Sequence, residues 1–243
     1  CDAESGNPEK KAVVVGELIQ CLDKPDGATH IGKGKVVEMT EMIQATGASH
    51  VIFEQDMGPS QVKNLEEATG ARVLDRSELI LDIFSLHAKT HQARLQVELA
   101  KLRYIRPRLK RMWTHLSRVR GGVGMRGGEG EKQIELDRRV IDKSIRDIEI
   151  ELTRIRERRE RMVESRDLFS VAIVGYTNAG KSSLFNCLAD GTADVADRLF
   201  HTLDTRTRVW NLPHQQRVVI SDTVGFIQNL PHHLVESFHA TLE

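Results

Sequence analysis

Long apolar runs are missing from this chain of 243 residues. No stretch reaches the roughly 18 consecutive apolar residues a membrane-spanning helix needs, so none is predicted. Aromatic residues are scarce, at 5%, although 40% apolar and 29% charged residues still suit a soluble globular protein. Cysteine is scarcer still. Cys1, Cys21 and Cys187 are too few and too scattered for a disulfide framework or a zinc site, and read as free thiols in a reducing cytoplasm. The first residues, Cys1-Asp2-Ala3-Glu4, lack the basic and then apolar pattern of a secretory signal. Net charge is absent too: 35 basic residues balance 35 acidic ones. The chain opens on Cys rather than Met and stops at Leu242-Glu243 inside what reads as a domain, so a fragment of a longer polypeptide is expected. Length alone sets a prior of two domains, at roughly 100–200 residues each.

What is present falls into three regions. Residues 8–89 alternate strand-like runs with helical patterns, predicting a small parallel α/β domain. The runs are Ala12-Val13-Val14-Val15, His50-Val51-Ile52-Phe53 and Ala71-Arg72-Val73-Leu74. The helical patterns are Lys35 to Thr46, closed by Gly47, and Pro59 to Thr69, closed by Gly70. Residues 90–166 predict a helical hairpin. Leu95, Leu99, Leu102, Leu109, Trp113 and Leu116 recur at steps of three, four or seven. So do Ile134, Ile141, Ile145, Ile148, Leu152, Ile155 and Met162 on the return. That spacing is a coiled-coil seam, and two such helices joined by a short loop pack antiparallel. Each arm would reach roughly 40 Å, and Pro107 is expected to kink the first. Residues 167–243 open with an apolar strand, Leu168 to Val174.

That strand runs into Gly175-Tyr176-Thr177-Asn178-Ala179-Gly180-Lys181-Ser182, a GxxxxGK[ST] phosphate-binding loop, followed by a helical segment from Ser183. Glycines let the backbone wrap a phosphate with its N–H groups turned inward, and the next helix adds the positive end of its dipole. Lys181 is assigned to the β- and γ-phosphates and the Ser182 hydroxyl to Mg2+. About 40 residues on, the strand Arg217 to Ser221 ends in Asp222-Thr223-Val224-Gly225, a DxxG. Asp222 is assigned to Mg2+ through a water, and the Gly225 N–H to the γ-phosphate. Between them Thr202, preferred to Thr205, is the candidate switch residue closing over Mg2+. The nucleotide-binding set is thus Gly175, Tyr176, Thr177, Asn178, Ala179, Gly180, Lys181, Ser182, Ser183, Thr202, Asp222 and Gly225. Ser182, Thr202 and Asp222 form its metal set. Phe226 stands where many GTP hydrolases carry a water-orienting glutamine. An apolar ring cannot orient water, so slow intrinsic hydrolysis is expected and no catalytic residue is assigned. Asn178 resembles the P-loop asparagine that helps hold K+ in some such enzymes, which makes K+ a candidate second ion.

Between residues 101 and 132 lie ten basic residues (Lys101, Arg103, Arg106, Arg108, Lys110, Arg111, Arg118, Arg120, Arg126 and Lys132). Only Glu129 and Glu131 oppose them, a local balance of +8 in a neutral chain. The glycine-rich loop Gly121 to Gly130 sits within this stretch. Such a tip suits RNA: cations neutralise phosphates and glycines allow close backbone approach. A solvated coiled-coil face is the plainer alternative. Gly32-Lys33-Gly34-Lys35 is read as a strand-to-helix turn in preference to an anion site.

Together these residues resemble the HflX family of GTPases. Three stretches carry the resemblance. The first is Gly32-Lys33-Gly34-Lys35 with Asp75-Arg76 and Leu79 to Phe84. The second is Trp113-Thr114-His115-Leu116 with Gly121 to Gly127 and Gly130 to Glu135. The third is Val174 to Ser182 with Asp222 to Ile227. The resemblance implies an α/β protein of three parts: a small parallel α/β N-terminal domain (8–89), a long antiparallel helical hairpin with a basic glycine-rich loop (90–166), and the first part of a P-loop GTPase domain (167–243). It implies GTP as substrate, the large ribosomal subunit and its RNA as partner, and the splitting of stalled or idle ribosomes in the cytoplasm. ATP at the N-terminal domain is implied weakly. The chain lacks the proline usual in the family's hairpin loop. It also carries no Asn-Lys-x-Asp motif to read guanine, so GTP over ATP rests on resemblance. The alternatives are a P-loop ATPase acting on other RNA and a non-catalytic RNA-binding module; intact Lys181, Ser182 and Asp222 argue against the second.

Overall fold

The structure is a computed structural model that describes residues 12–109, 127–164, 168–189, 206–213 and 216–227. It divides into two compact units, Cys1–Asp75 and Arg76–Glu243.

In the first unit local chemistry sets the boundaries. Helix α1 (Lys33–Thr46) ends where Gly47 turns left-handed at φ 68°, donating its N–H to the Ile43 carbonyl at 2.8 Å. Helix α2 (Pro59–Thr69) starts with proline in its first turn, where the missing N–H costs nothing, and stops at Gly70 at φ 72°. The Gly58 N–H, ahead of that first turn, is satisfied by Gln61 Oε1 at 2.9 Å. Strands β1 (His50–Ile52) and β2 (Arg72–Leu74) pair in parallel, His50 opposite Arg72 and Ile52 opposite Leu74. Met39, Met57, Val62, Leu65 and Val73 form the core between helices and strands. The expected strand at Ala12–Val15 does not form. Among the described residues it has no ladder partner, and Val14 is 87% exposed. Valine favours strands by packing on a sheet face, and without a neighbouring edge that preference has nothing to act on. Leu18, further along, is the residue that reaches the core.

In the second unit α3 (Arg76–His87) packs on α4 (His91–Ile105), which Thr90 caps by accepting the Ala93 N–H at 3.1 Å. Helix α4 is apolar on two faces. Ala93, Val97, Ala100 and Tyr104 meet Ile80, Leu81 and Phe84 of α3. Leu95, Leu99 and Leu102 meet Ile145, Ile148, Leu152 and Ile155 of α5 (Gly127–Glu164). These are seam positions read from the heptad spacing. The hydrogen-bonded contact His91–Glu151 and the ion pairs Arg103–Glu149 and Arg106–Asp142 ascend one arm while descending the other, so the two run antiparallel. Pro107 ends α4 instead of bending it: a 3-10 turn, Arg106–Arg108, follows. Helix α5 is longer than expected. Its 38 residues span about 57 Å and begin inside the glycine-rich stretch, at Gly127. Unbonded N–H groups at a helix's first turn make glycine cheapest there. The remainder of that stretch, and the hairpin tip with it, lies outside the described residues.

A three-stranded sheet completes the unit: β3 (Phe169–Ile173), β5 (Arg217–Asp222) and β4 (Arg206–Asn211), in that order, with β5 central. The β3–β5 pair is parallel and brings Ile173 level with Asp222; β4 runs antiparallel to β5. Helix α6 (Lys181–Leu188) follows β3 and buries Phe185. Cys187 on this helix is exposed.

Candidate nucleotide site

The parallel register of β3 and β5 places the two motifs side by side at the carboxyl ends of these neighbouring strands. Past Ile173 the chain turns through Gly175–Gly180. Asn178 sits at φ 60° and Gly180 at φ 81°, left-handed conformations that asparagine tolerates and glycine adopts freely. Gly180 then caps α6, whose first two residues are Lys181 and Ser182. Past Asp222, Thr223 donates its hydroxyl to the Ile173 carbonyl at 2.8 Å and ties the strand ends together.

Ser182 and Asp222 meet directly. The Ser182 hydroxyl donates to Asp222 Oδ2 at 2.6 Å, and Asp222 is fully buried. Two hard oxygen donors converging from a helix start and a strand end fit Mg2+, which takes one or two protein oxygens and completes its shell with phosphate and water. The Lys181 ammonium donates to the Tyr176 carbonyl at 2.6 Å, across the mouth of the loop. Burial pushes the Lys181 ammonium below its usual range, and the Asp222 charge opposes the shift. A phosphate brought to this ammonium would offset that cost.

The DxxG segment is stitched to the phosphate loop by backbone bonds. Thr177 N–H donates to the Phe226 carbonyl at 2.7 Å, and Phe226 N–H donates to the Gly175 carbonyl at 3.0 Å. Gly225 lies so close to Thr177 that a Cβ on it would meet Thr177 Cα at 2.7 Å. Sequence reading missed these links. Phe226 stands where a water-orienting glutamine is common, and its backbone acts as a staple. The nearest sequence signal was the glycine of DxxG itself.

Of the assigned residues, Gly175 to Ser183, Asp222 and Gly225 are brought together. Thr202 and Thr205 lie outside the described residues. The basic stretch divides. Lys101 pairs with Asp82 at 2.9 Å, Arg103 with Glu149 at 2.8 Å and Arg106 with Asp142 at 2.6 Å. The Arg108 guanidinium stacks 3.6 Å from the centre of the Tyr104 ring. Four of the ten cations therefore serve the fold. Lys110, Arg111, Arg118, Arg120 and Arg126 lie outside the described residues, as does the side chain of Lys132. At Gly32-Lys33-Gly34-Lys35 the Gly32 N–H is taken by Gln20 Oε1 at 3.1 Å, as suits a turn. Among the described residues no helix is long and apolar enough to cross a membrane.

A strand, a glycine-bounded loop, a lysine and serine opening a helix, and a buried aspartate on the neighbouring strand define a P-loop nucleotide-binding protein. Three family models tile the chain: GTP-binding GTPase N-terminal over residues 9–85, GTP-binding GTPase Middle Region over 87–166, and 50S ribosome-binding GTPase over 170–243. GTPase HflX of Escherichia coli is 49% identical over 93% of this chain and 55% of its own length. That of Alkalihalophilus pseudofirmus is 46% identical over 100% of this chain and 58% of its own. A crystal structure of SsGBP in complex with GDP superposes with a TM-score of 0.51 at 28% identity, covering 90% of this chain and 57% of that one. The chain belongs to the HflX family of GTPases, and it spans about half the length of the curated relatives it matches.

Proposed function

We propose that the whole protein is a GTP-hydrolysing factor that binds the large ribosomal subunit through its hairpin and dissociates stalled or idle ribosomes in the cytoplasm. The observation that carries the hydrolytic half is the 2.6 Å meeting of Ser182 and Asp222 beside Lys181. It is the donor set that a triphosphate with Mg2+ requires. Thr202 would be the residue to close over that ion, and Asn178 is a candidate contact for K+. The ribosomal half draws on the family, on the description of the third family model and on the cations of the hairpin. Domains at 8–89, 90–166 and 167–243 divide the work into anchor, arm and switch.

The test is GTP turnover by the full-length protein with and without large subunits, alongside sedimentation of intact ribosomes. Turnover should rise at least tenfold with subunits, and intact ribosomes should separate only when nucleotide is present. Turnover unaffected by subunits, with no co-sedimentation, would overturn the reading. ATP hydrolysed as well as GTP would overturn its substrate.

A further inference from the structure

Strand β4 lies at the rim of its sheet: among the described residues only β5 flanks it, in the order β3–β5–β4. Its ladder shows which backbone groups are already bonded. Leu212 N–H donates to the Gln216 carbonyl at 2.8 Å, which makes these two a hydrogen-bonded pair. Bonded and non-bonded pairs alternate along an antiparallel ladder. Trp210–Val218, Arg208–Ile220 and Arg206–Asp222 are therefore bonded pairs, whereas Asn211–Arg217, Val209–Val219 and Thr207–Ser221 are not. The Thr207 and Ser221 hydroxyls, 3.3 Å apart, agree with this, since side chains come closest across a non-bonded pair. The N–H and C=O groups of Thr207, Val209 and Asn211 consequently point away from β5, and all three residues are exposed. They present a donor and an acceptor about every 6.6 Å along the rim.

Open edges of this kind add strands, and proteins blunt them with lysine, proline or a bulge. Arg206–Asn211 contains neither lysine nor proline, and its register with β5 runs without a bulge. It carries arginine instead. Arg206 and Arg208 stand two residues apart and share one face of the sheet. Among the described residues neither guanidinium is engaged by a carboxylate. We propose that the outer rim of β4 is a docking site for an acidic β-strand of a partner protein, paired through Thr207, Val209 and Asn211 and selected by Arg206 and Arg208. Carboxylates at alternate positions of the incoming strand meet the two guanidiniums, whose planar forks match them in bidentate fashion. Main-chain bonds supply affinity and the arginines supply selectivity. An RNA strand matches the rim less well. Its phosphates accept hydrogen bonds but donate none, which leaves the outward carbonyls of Thr207, Val209 and Asn211 unmet.

The test titrates the full-length protein with a cyclised β-hairpin peptide whose outer strand reads Thr-Glu-Val-Glu-Val-Thr, cyclisation removing most of the ordering cost. Three further probes are the same hairpin with lysine for glutamate, the acidic hairpin with its outward amides N-methylated, and oligouridine. The acidic hairpin should bind roughly tenfold more tightly than the lysine one, and should slow deuterium exchange at Thr207, Val209 and Asn211. Val209→Pro removes one outward N–H and spares the ladder to β5, so it should weaken binding roughly fivefold, while Val209→Thr stays within about twofold. Arg208→Glu should invert the preference toward the lysine hairpin, an outcome that loss of folding cannot mimic. Thermal melts confirm that each variant is folded. No binding of the acidic hairpin by the parent overturns the proposal, as does equal binding of its N-methylated form. So does parent-like binding by folded Val209→Pro and Arg208→Glu. Oligouridine that displaces the acidic hairpin and protects the same amides more strongly assigns the rim to RNA, and overturns the proposal too.

Discussion

Lys181 carries its charge at a cost, since burial holds its ammonium below the ordinary lysine value of 10.5. A nucleotide phosphate raises that value again, so the bound protein holds more protons than the free one. Affinity should therefore be full below the free protein's Lys181 pKa and decline as pH rises through it, on the alkaline side. Titrations between neutral and alkaline pH check this; Lys181→Arg, charged throughout, should flatten the decline. Lys181→Ala removes a charge-assisted contact of roughly 1.5–3 kcal/mol, which predicts a ten- to hundredfold loss of affinity by direct binding measurement. At Gly225 the constraint is space. A methyl group there meets Thr177 Cα at 2.7 Å and Thr177 N at 2.8 Å, backbone that cannot yield without moving the phosphate loop. Gly225→Ala should cost about 1–3 kcal/mol in denaturant unfolding and weaken nucleotide binding with it.

At the scale of elements, the hairpin's cations must be sorted by partner before they are assigned to RNA. Arg103 of α4 and Arg106 of the turn that follows it reach α5, and Lys101 reaches α3. Exposed pairs of this kind contribute about 0–1 kcal/mol each. Replacing Arg103 and Arg106 by alanine should thus lower the melting point slightly and leave the salt dependence of RNA binding unchanged. Replacing Arg118 and Arg120 should reduce the slope of log affinity against log salt by roughly two, near one for each phosphate that is no longer neutralised. Binding measured from low to moderate salt separates the two sets. The sequence could not make this division, because Asp82 and Glu149 stand 19 and 46 residues from their partners. The helix boundaries, by contrast, were legible at Gly47, Pro59 and Gly70, where the determining chemistry lies within one turn. The seam of α4 with α5 was legible for a related reason: heptad spacing is local even though the packing is not. The second apolar face of α4 was not, since residues 93, 97, 100 and 104 acquire meaning only once α3 is in place.

For the whole molecule, the phosphate-loop motif was legible because its residue types recur at a fixed spacing, and the Ser182 hydroxyl meets Asp222 at 2.6 Å. Strand β4 and the order β3–β5–β4 went unread. Strand pairing is decided between distant segments, and Arg206–Asn211 shows more charge than apolar alternation. The valine run at 12–15 erred in the other direction, carrying strand composition without an edge to join. The position of β5 between two neighbours has a kinetic corollary. Amide hydrogens of Val219 and Ile220 are bonded within the best-shielded ribbon of their sheet and should exchange with deuterium slowest there. Amides beyond Asp222 should label sooner, and with bound guanine nucleotide their labelling should slow while that of Val219 and Ile220 holds steady. Isotope labelling read by mass spectrometry would then locate the moving joint within two or three peptide units, between a carboxylate carried by rigid scaffold and the glycine that follows it.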